Sequence, residues 1–241
     1  MGDRDGSPRH QRSTAYSARV TPAGRYAERA LAGRPRLPRR VRLTQSGEMQ
    51  LKPGRWSKFE AVEDVRIDEV EFSWRATFRL APLVWVRVHD WYRCGEGGLT
   101  GRLFGLVPVA RAAGAETARA EAMRYLAELP WYPHAIVANN RLSWRELDDE
   151  SIEVATSVRS VRAAVTLSFD RAGDIVRASA SQRPRQENGG VVERPWSGEF
   201  GDYQVVGGVR MPTHAEVSWE LPDGVFTYFR CRIAGLQLLD Q

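Results

Sequence analysis

Cysteine and lysine are scarce in this sequence. Its two cysteines, Cys94 and Cys231, are 137 positions apart, which excludes a disulfide framework and a cysteine-based zinc site. No run of about 18 apolar residues is present, so we expect no transmembrane helix. The first 20 residues are polar and contain no apolar core of a signal peptide, so we expect no secretory signal and a cytoplasmic location.

Motifs that would indicate a catalytic or cofactor site are also missing. The sequence contains no G-x-S-x-G nucleophile elbow, no phosphate-binding G-x-x-x-x-G-K-[ST] and no G-x-G-x-x-G. Its four histidines show none of the spacings H-x-x-x-H, H-x-H or H-E-x-x-H. We therefore predict no catalytic residue, no metal site and no cofactor.

One histidine has a carboxylate close to it in the sequence. His214 and Glu216 lie two positions apart, so their side chains share one face of a strand. Such a pair can ligate a metal or form an acid–base couple. The same face carries Ser218 and Glu220, which favours the alternative that it is the solvated outer surface of a sheet.

Positive charge is concentrated near the N-terminus. Residues 1–42 contain eleven arginines and three acidic residues, whereas the remaining 199 residues contain 24 basic and 27 acidic ones. A basic arm of this kind can contact an anionic membrane or a nucleic acid. Because the arginines are spread singly without an aromatic ladder, we expect no specific nucleic-acid binding. The arm is either a solvated tail or a peripheral membrane contact through residues 1–42.

The residue pattern divides the chain into three segments. Residues 1–20 have too little apolar surface to repay ordering, so this Arg-rich arm is predicted to be disordered. Residues 21–40 begin with a short helix, started by Thr21 and Pro22, and continue as a proline-rich linker. Residues 41–241 are predicted to form a single β half-barrel domain with a helical insertion at residues 111–130.

About ten amphipathic strands are expected after Val41. The clearest runs from Val70 to Leu80, where apolar and polar residues alternate without error. Short turns with Gly and Pro favour an antiparallel meander over βαβ units, and a sheet of ten strands must curl. We therefore predict a mainly β (α+β) fold, in which a curved antiparallel sheet or half-barrel has one covering helix and a short N-terminal helix.

The covering helix is predicted over Ala115–Leu129, where alanine is abundant and a proline follows. Glu121, Arg124 and Glu128 share one face of this helix at three- and four-residue spacing. Their polar face is either the charged rim of an apolar cavity or an exposed row of salt bridges.

Aromatic residues are numerous at strand positions, with eight Trp, eight Phe and seven Tyr in the chain. They form either a large β core or the wall of a cavity for an apolar ligand, because one short helix cannot fill the whole concave face of such a sheet. For the cavity we predict the ligand-binding residues Glu121, Arg124, Tyr125, Trp131, Trp74, Trp219 and Glu216.

Several short motifs resemble an uncharacterised family of bacterial proteins of unknown function, over roughly residues 25–240. They include Gly47-Glu48-Met49, Trp56-x-x-Phe59-x-Ala61, Leu80-Ala81-Pro82-Leu83, Arg124-Tyr125-Leu126-Ala127-Glu128, Pro195-Trp196-x-Gly198-x-Phe200-x-x-Tyr203 and Glu216-Val217-x-Trp219. That family is in turn similar to the half-barrel lipoprotein carriers of bacterial envelopes, the Lol-type fold. The resemblance implies a half-barrel whose concave face holds acyl chains.

Three functions remain open from the sequence. The first is a non-enzymatic binding protein for an apolar or lipid-like ligand. The second is a small enzyme that uses the same cavity with a carboxylate base such as Glu216 or Glu121. The third is an adaptor that binds a membrane or nucleic acid through the Arg-rich arm. A buried carboxylate deep in the cavity would favour the enzyme. An apolar pocket without a carboxylate would favour the carrier, and a closed core without a pocket would favour the adaptor. The sequence does not determine the oligomeric state.

Overall fold

The computed structural model describes residues 21–32, 37–159, 161–187 and 189–240, so the predicted disordered arm lies outside the described residues. The helices are α1 (Pro22–Ala30), α2 (Ala115–Ala127) and α3 (His134–Ala138), with a 3₁₀ turn at Leu129–Trp131. The strands are β1 (Arg40–Lys52), β2 (Arg55–Arg66), β3 (Phe72–Ala81), β4 (Val84–Arg93), β5 (Glu96–Leu103), β6 (Val107–Ala113), β7 (Ser143–Asp148), β8 (Ser151–Val158), β9 (Val161–Phe169), β10 (Ile175–Glu187), β11 (Gly190–Val206), β12 (Val209–Leu221) and β13 (Gly224–Leu239).

All described strands belong to one antiparallel sheet with the order β6-β5-β4-β3-β2-β1-β13-β12-β11-β10-β9-β8-β7. Strands that are consecutive in sequence pair with each other except β6 and β7, and β1 also pairs with β13, which joins the two halves of the chain. The expected mainly β fold is confirmed, but the sheet has 13 strands and not about ten. The helical segment between β6 and β7 connects the two edge strands.

The sheet curls until its two arms approach each other. Helix α2 packs against β5 in one arm and against β8, β9 and β10 in the other. Beside the helix, Arg159 in the β8–β9 turn forms an ion pair of 3.1 Å with Glu96 at the start of β5. Strands this far apart in the sheet order can meet only if the sheet is strongly curved. Its inner face and α2 therefore enclose the core.

Helix α1 begins as the sequence predicts. The Thr21 hydroxyl accepts a hydrogen bond of 3.2 Å from the amide of Gly24, and Pro22 occupies the first turn. Tyr26 is buried and donates its hydroxyl to the carbonyl of Pro130 at 2.9 Å, which fixes α1 beside the 3₁₀ turn. None of the helices in the described ranges is long and apolar enough to cross a membrane.

Candidate functional site

A cavity of about 990 Å³ lies between the inner face of the sheet and helix α2. Its wall is mostly apolar and contains the aromatic residues Trp56, Trp74, Phe78, Trp131, Trp196, Phe200, Tyr228 and Phe229. At one end it reaches the β1–β2 and β3–β4 hairpins, where Leu51 and Leu80 are exposed. This volume is typical of a small-molecule binding site.

The polar part of the wall is built around Arg124 of α2. Its guanidinium contacts three carboxylates, with Asp90 Oδ2 at 2.6 Å, Glu128 Oε1 at 2.8 Å and Glu63 Oε1 at 3.3 Å. We call these four residues together with Glu121 the acidic cluster. Glu63 is fully buried, and the Arg124 side chain is only 15% exposed. The alternative of a solvent-exposed salt-bridge row on this helix face is therefore wrong.

A chain of hydrogen bonds connects the acidic cluster to the aromatic wall. Gln45 donates its amide to Glu63 Oε2 at 2.7 Å, and the indole N–H of Trp74 donates to Gln45 Oε1 at 2.8 Å. The Arg124 guanidinium also lies 4.9 Å from the ring centre of Phe72 and 5.1 Å from that of Trp74. These contacts fix the cluster in one arrangement.

Burial raises the pKa of two carboxyl groups of the cluster. Burial, reinforced by the nearby Glu128 carboxylate, raises the pKa of Glu63 well above its usual range. Burial together with the charge of Asp90 likewise raises the pKa of Glu121. Glu63 lies beside Glu128, and Glu121 lies beside Asp90, so each group with a raised pKa faces a second carboxyl group.

A second buried arginine lines the same cavity from strand β10. Arg183 is 8% exposed, and its guanidinium lies 4.6 Å from the ring centre of Trp196 and 5.4 Å from that of Trp219. It donates one hydrogen bond of 3.2 Å, from Nη2 to the carbonyl of Ala120 in α2. It therefore bridges the sheet and the helix at the cavity wall.

Four of the seven residues predicted from the sequence line the cavity: Glu121, Arg124, Trp131 and Trp74. Trp131 is buried, only 3% exposed, and packs edge to face on Phe200 with ring centres 5.9 Å apart. Glu121 is also buried and not placed on a solvated rim.

The other three lie elsewhere. Tyr125 is fully buried and donates its hydroxyl to the carbonyl of Arg66, while Asn139 donates to that hydroxyl, so it belongs to the core beneath α2. Trp219 is buried beside its cross-strand partner Trp196, under the guanidinium of Arg183. Glu216 points to the outer face, where it contacts Arg230 at 3.3 Å and His214 at 3.9 Å. Within the described ranges no group of three or more His, Cys, Asp or Glu side chains could hold a metal ion.

Four polar residues in or behind the cavity wall were not predicted: Asp90 and Arg183, which line it, and Gln45 and Glu63, which hydrogen-bond behind it. Gln45, Glu63 and Asp90 occupy inward positions of alternating strands, where an apolar residue is expected. The sequence feature that could have identified them is a polar residue at a position where the rest of that strand face is apolar. Arg183 follows an irregularity in the pairing of β10 with β11, which hides its direction from a simple alternation.

Two solved structures are similar to the chain over most of its length. A LolA superfamily protein from Nitrosomonas europaea is 11% identical, with a TM-score of 0.47, and the match covers 91% of this chain and 94% of that one. A domain from Vibrio parahaemolyticus described as an outer membrane lipoprotein-sorting protein is 10% identical, with a TM-score of 0.47 and coverages of 89% and 92%. No curated protein is significantly similar. A family model matches residues 21–231, which confirms the resemblance inferred from the motifs: the chain belongs to DUF6544, a family of unknown function.

Proposed function

We propose that the protein is a non-enzymatic binding protein that holds an apolar or lipid-like ligand in the cavity between the sheet and α2. The observation that carries this proposal is the cavity itself, about 990 Å³ with a wall rich in Trp and Phe. Protein interiors tolerate few large voids, and an apolar space of this size suits an acyl chain. A closed core, which would have favoured the adaptor function, is not what the described residues form.

The cavity has an apolar approach at the hairpin turns. Leu83 in the β3–β4 turn is 81% exposed and Leu106 in the β5–β6 turn is 75% exposed. Both turns lie at the same end of the sheet as the β1–β2 turn, because successive antiparallel hairpins alternate between its ends. Lys52 and Arg55 of the β1–β2 hairpin line the cavity beside them. Exposed leucines next to cations are suited to a lipid that enters from an anionic surface.

The proposal also includes a cytoplasmic, membrane-peripheral location. Eleven arginines in residues 1–42 would supply the membrane contact. Cys94 is exposed and Cys231 is buried, and both are free thiols, which suits a reducing compartment.

Filling the cavity tests the proposal directly. Gly198 lines the cavity, and a Cβ placed there would meet its nearest neighbours at an ordinary 3.9 Å. Gly198→Phe should therefore fold and occupy the space, whereas Gly190→Phe places the same ring at the exposed end of β11. We expect dodecanol to bind the wild type and Gly190→Phe with micromolar affinity and Gly198→Phe at least tenfold more weakly. Failure of the wild type to bind dodecanol or any other apolar probe would refute the proposal.

A second function, the small enzyme, is favoured by the feature expected to distinguish it from the carrier, a buried carboxyl group in the cavity wall: Glu121 lies there beside Asp90. Burial together with the charge of Asp90 raises the pKa of Glu121, and a carboxyl group with a raised pKa is suited to general acid–base catalysis. Glu216, the other candidate base, lies on the outer face and faces no part of this cavity. An acyl ester is the substrate class that fits the apolar wall. Turnover of p-nitrophenyl laurate that Glu121→Gln abolishes, with dodecanol binding retained, would establish the enzyme; no turnover supports the carrier.

A further inference from the structure

The cavity wall contains two arginines in very different surroundings, the largely covered Arg124 and the buried Arg183. Arg124 is held by three carboxylates within 3.3 Å. Arg183 has no carboxylate within 4.0 Å among the described residues, and its Nε is buried without a hydrogen-bond partner there. Its single hydrogen bond goes to the neutral carbonyl of Ala120. The fold thus provides a complete counter-charge for one arginine and none in direct contact with the other.

An unpaired buried charge is unfavourable, since the lost hydration is repaid only by an opposite charge or by good hydrogen bonds. Cation–π contacts with the rings of Trp196 and Trp219 offset part of the lost hydration free energy of the guanidinium. These rings also hold the guanidinium in a fixed position at the cavity wall. A held guanidinium with free donors matches the geometry of a carboxylate or a phosphate.

Two donors of the cavity wall are buried without a partner in the described residues, the Nε of Arg183 and the indole N–H of Trp131. The unpartnered acceptors of the wall are Asp90 Oδ1, Glu121 Oε2 and Glu128 Oε2, and all three belong to the acidic cluster around Arg124. At Arg183 itself the unsatisfied group is a donor, and a ligand that supplies an acceptor there would satisfy it.

We infer that Arg183 binds the anionic headgroup of the ligand, so that the cavity takes amphiphiles with an acyl or alkyl chain and one carboxylate or phosphate. This inference rests on the proposed function, because the aromatic cavity holds the chain. The neutral ends of alcohols and esters would leave Arg183 without its counter-ion and should bind more weakly.

The experiment compares dodecanoate, dodecyl phosphate, dodecanol and inorganic phosphate on the full-length chain by titration calorimetry. Arg183→Met removes the charge and keeps the length of the side chain. The matched control is Arg185→Met, because Arg185 lies on the same strand and also contacts the Trp219 ring, at 5.5 Å, but is paired with Glu187. Arg183→Lys keeps the charge, and thermal melting of each variant reports folding.

We expect the wild type to bind dodecanoate or dodecyl phosphate at least tenfold more tightly than dodecanol. Arg183→Met should abolish this preference, so that the three alkyl probes bind with similar affinity. Arg183→Lys should retain part of the preference, and Arg185→Met should leave it intact. Equal binding of dodecanoate, dodecyl phosphate and dodecanol by the wild type would overturn the inference and leave the proposed function standing. If inorganic phosphate binds as tightly as dodecyl phosphate, the alkyl chain adds nothing and the inference of an amphiphilic ligand is overturned. If none of the probes binds, both proposals are refuted.

Discussion

Gly97 and Ala118 meet backbone to backbone. A Cβ on Gly97 of strand β5 would lie 2.9 Å from the Cα of Ala118 in helix α2 and 3.2 Å from the Cβ of Glu121. Only glycine permits this approach, which presses the helix onto the sheet and sets the depth at which Glu121 enters the cavity. The position of α2 on the sheet, and with it that of the polar residues in the cavity wall, therefore depends on the absence of a side chain at Gly97.

Gly97→Ala should accordingly push the helix outward. We expect a loss of about 1–3 kcal/mol in the free energy of unfolding, as for overpacking elsewhere in protein cores, and weaker ligand binding. Gly198→Ala is the control, because a Cβ there meets its neighbours at 3.9 Å. Urea denaturation compares the two, and equal stability of both variants would show that α2 is not seated by Gly97.

Arg124 should be the most sensitive residue of the acidic cluster. Arg124→Met leaves buried carboxylates without their counter-charge, and we expect a loss of about 3–5 kcal/mol at neutral pH. The loss should be smaller at pH 5 than at pH 8, because the orphaned carboxyl groups can then take up protons at less cost. Arg75→Met removes a half-exposed arginine 2.6 Å from Asp64 and should cost under about 1 kcal/mol. A pH-independent loss in Arg124→Met would contradict this account.

The strands could largely be predicted because their periodicity is a local property. Val70 to Leu80 alternates cleanly, and β3 occupies Phe72–Ala81. Residues 107–113 were missed as a strand because β6 is an exposed edge without an apolar face, and β6 runs into the segment predicted as the helical insertion. Strand β10 extends past Pro184, where alternation predicts an end. In this half only β11 pairs with it in the described residues, so one side of β10 is a free edge, where a strand tolerates proline.

Residues of the site could be predicted from the sequence only where a single helix or strand places them together. Glu121 and Arg124 were found because helical spacing places them on one face. Their partners Glu63 and Asp90 come from strands β2 and β4, and only the curl of the sheet brings these to the helix. Glu216 was misplaced because alternation separates two faces but does not show which lines a cavity. Long-range pairing of this kind leaves no periodic trace in a single sequence.

The raised pKa of Glu121 implies a definite pH dependence of stability. Because its pKa is raised, this carboxyl keeps its proton in the folded state at pH values where the unfolded state has already released it, above the ordinary pKa of 4.5. The contribution of Glu121 to stability is therefore greatest at low pH and falls as the pH rises through the unfolded value towards the folded one. Glu121→Gln mimics the neutral acid and should remove this part of the slope.

Urea denaturation between pH 5 and 9 measures the difference between wild type and variant, to which other titrating groups contribute equally. We expect the Glu121→Gln stability curve to be flatter and to rise above the wild type at the alkaline end. Glu116→Gln, on the exposed first turn of the same helix, should follow the wild type. The same pH dependence of stability in the wild type and in Glu121→Gln across this range would contradict the raised pKa of Glu121.

Trp131 connects the core with the cavity, and its variants separate these two roles. Trp131→Ala should cost about 3–5 kcal/mol, because the ring is 3% exposed and packed on Phe200. Trp131→Phe keeps the edge-to-face contact and removes a buried N–H that has no partner in the described residues, so we expect a loss of only about 1–2 kcal/mol.

Because Trp131 lines the cavity, Trp131→Phe should also reduce the change in tryptophan fluorescence that dodecanoate causes. Trp85→Phe is the control, since Trp85 is 37% exposed and packs on Phe104 outside the cavity wall. An unchanged fluorescence response in Trp131→Phe would place the ligand away from Trp131, because a ring in contact with the bound chain cannot be removed without losing its share of the signal.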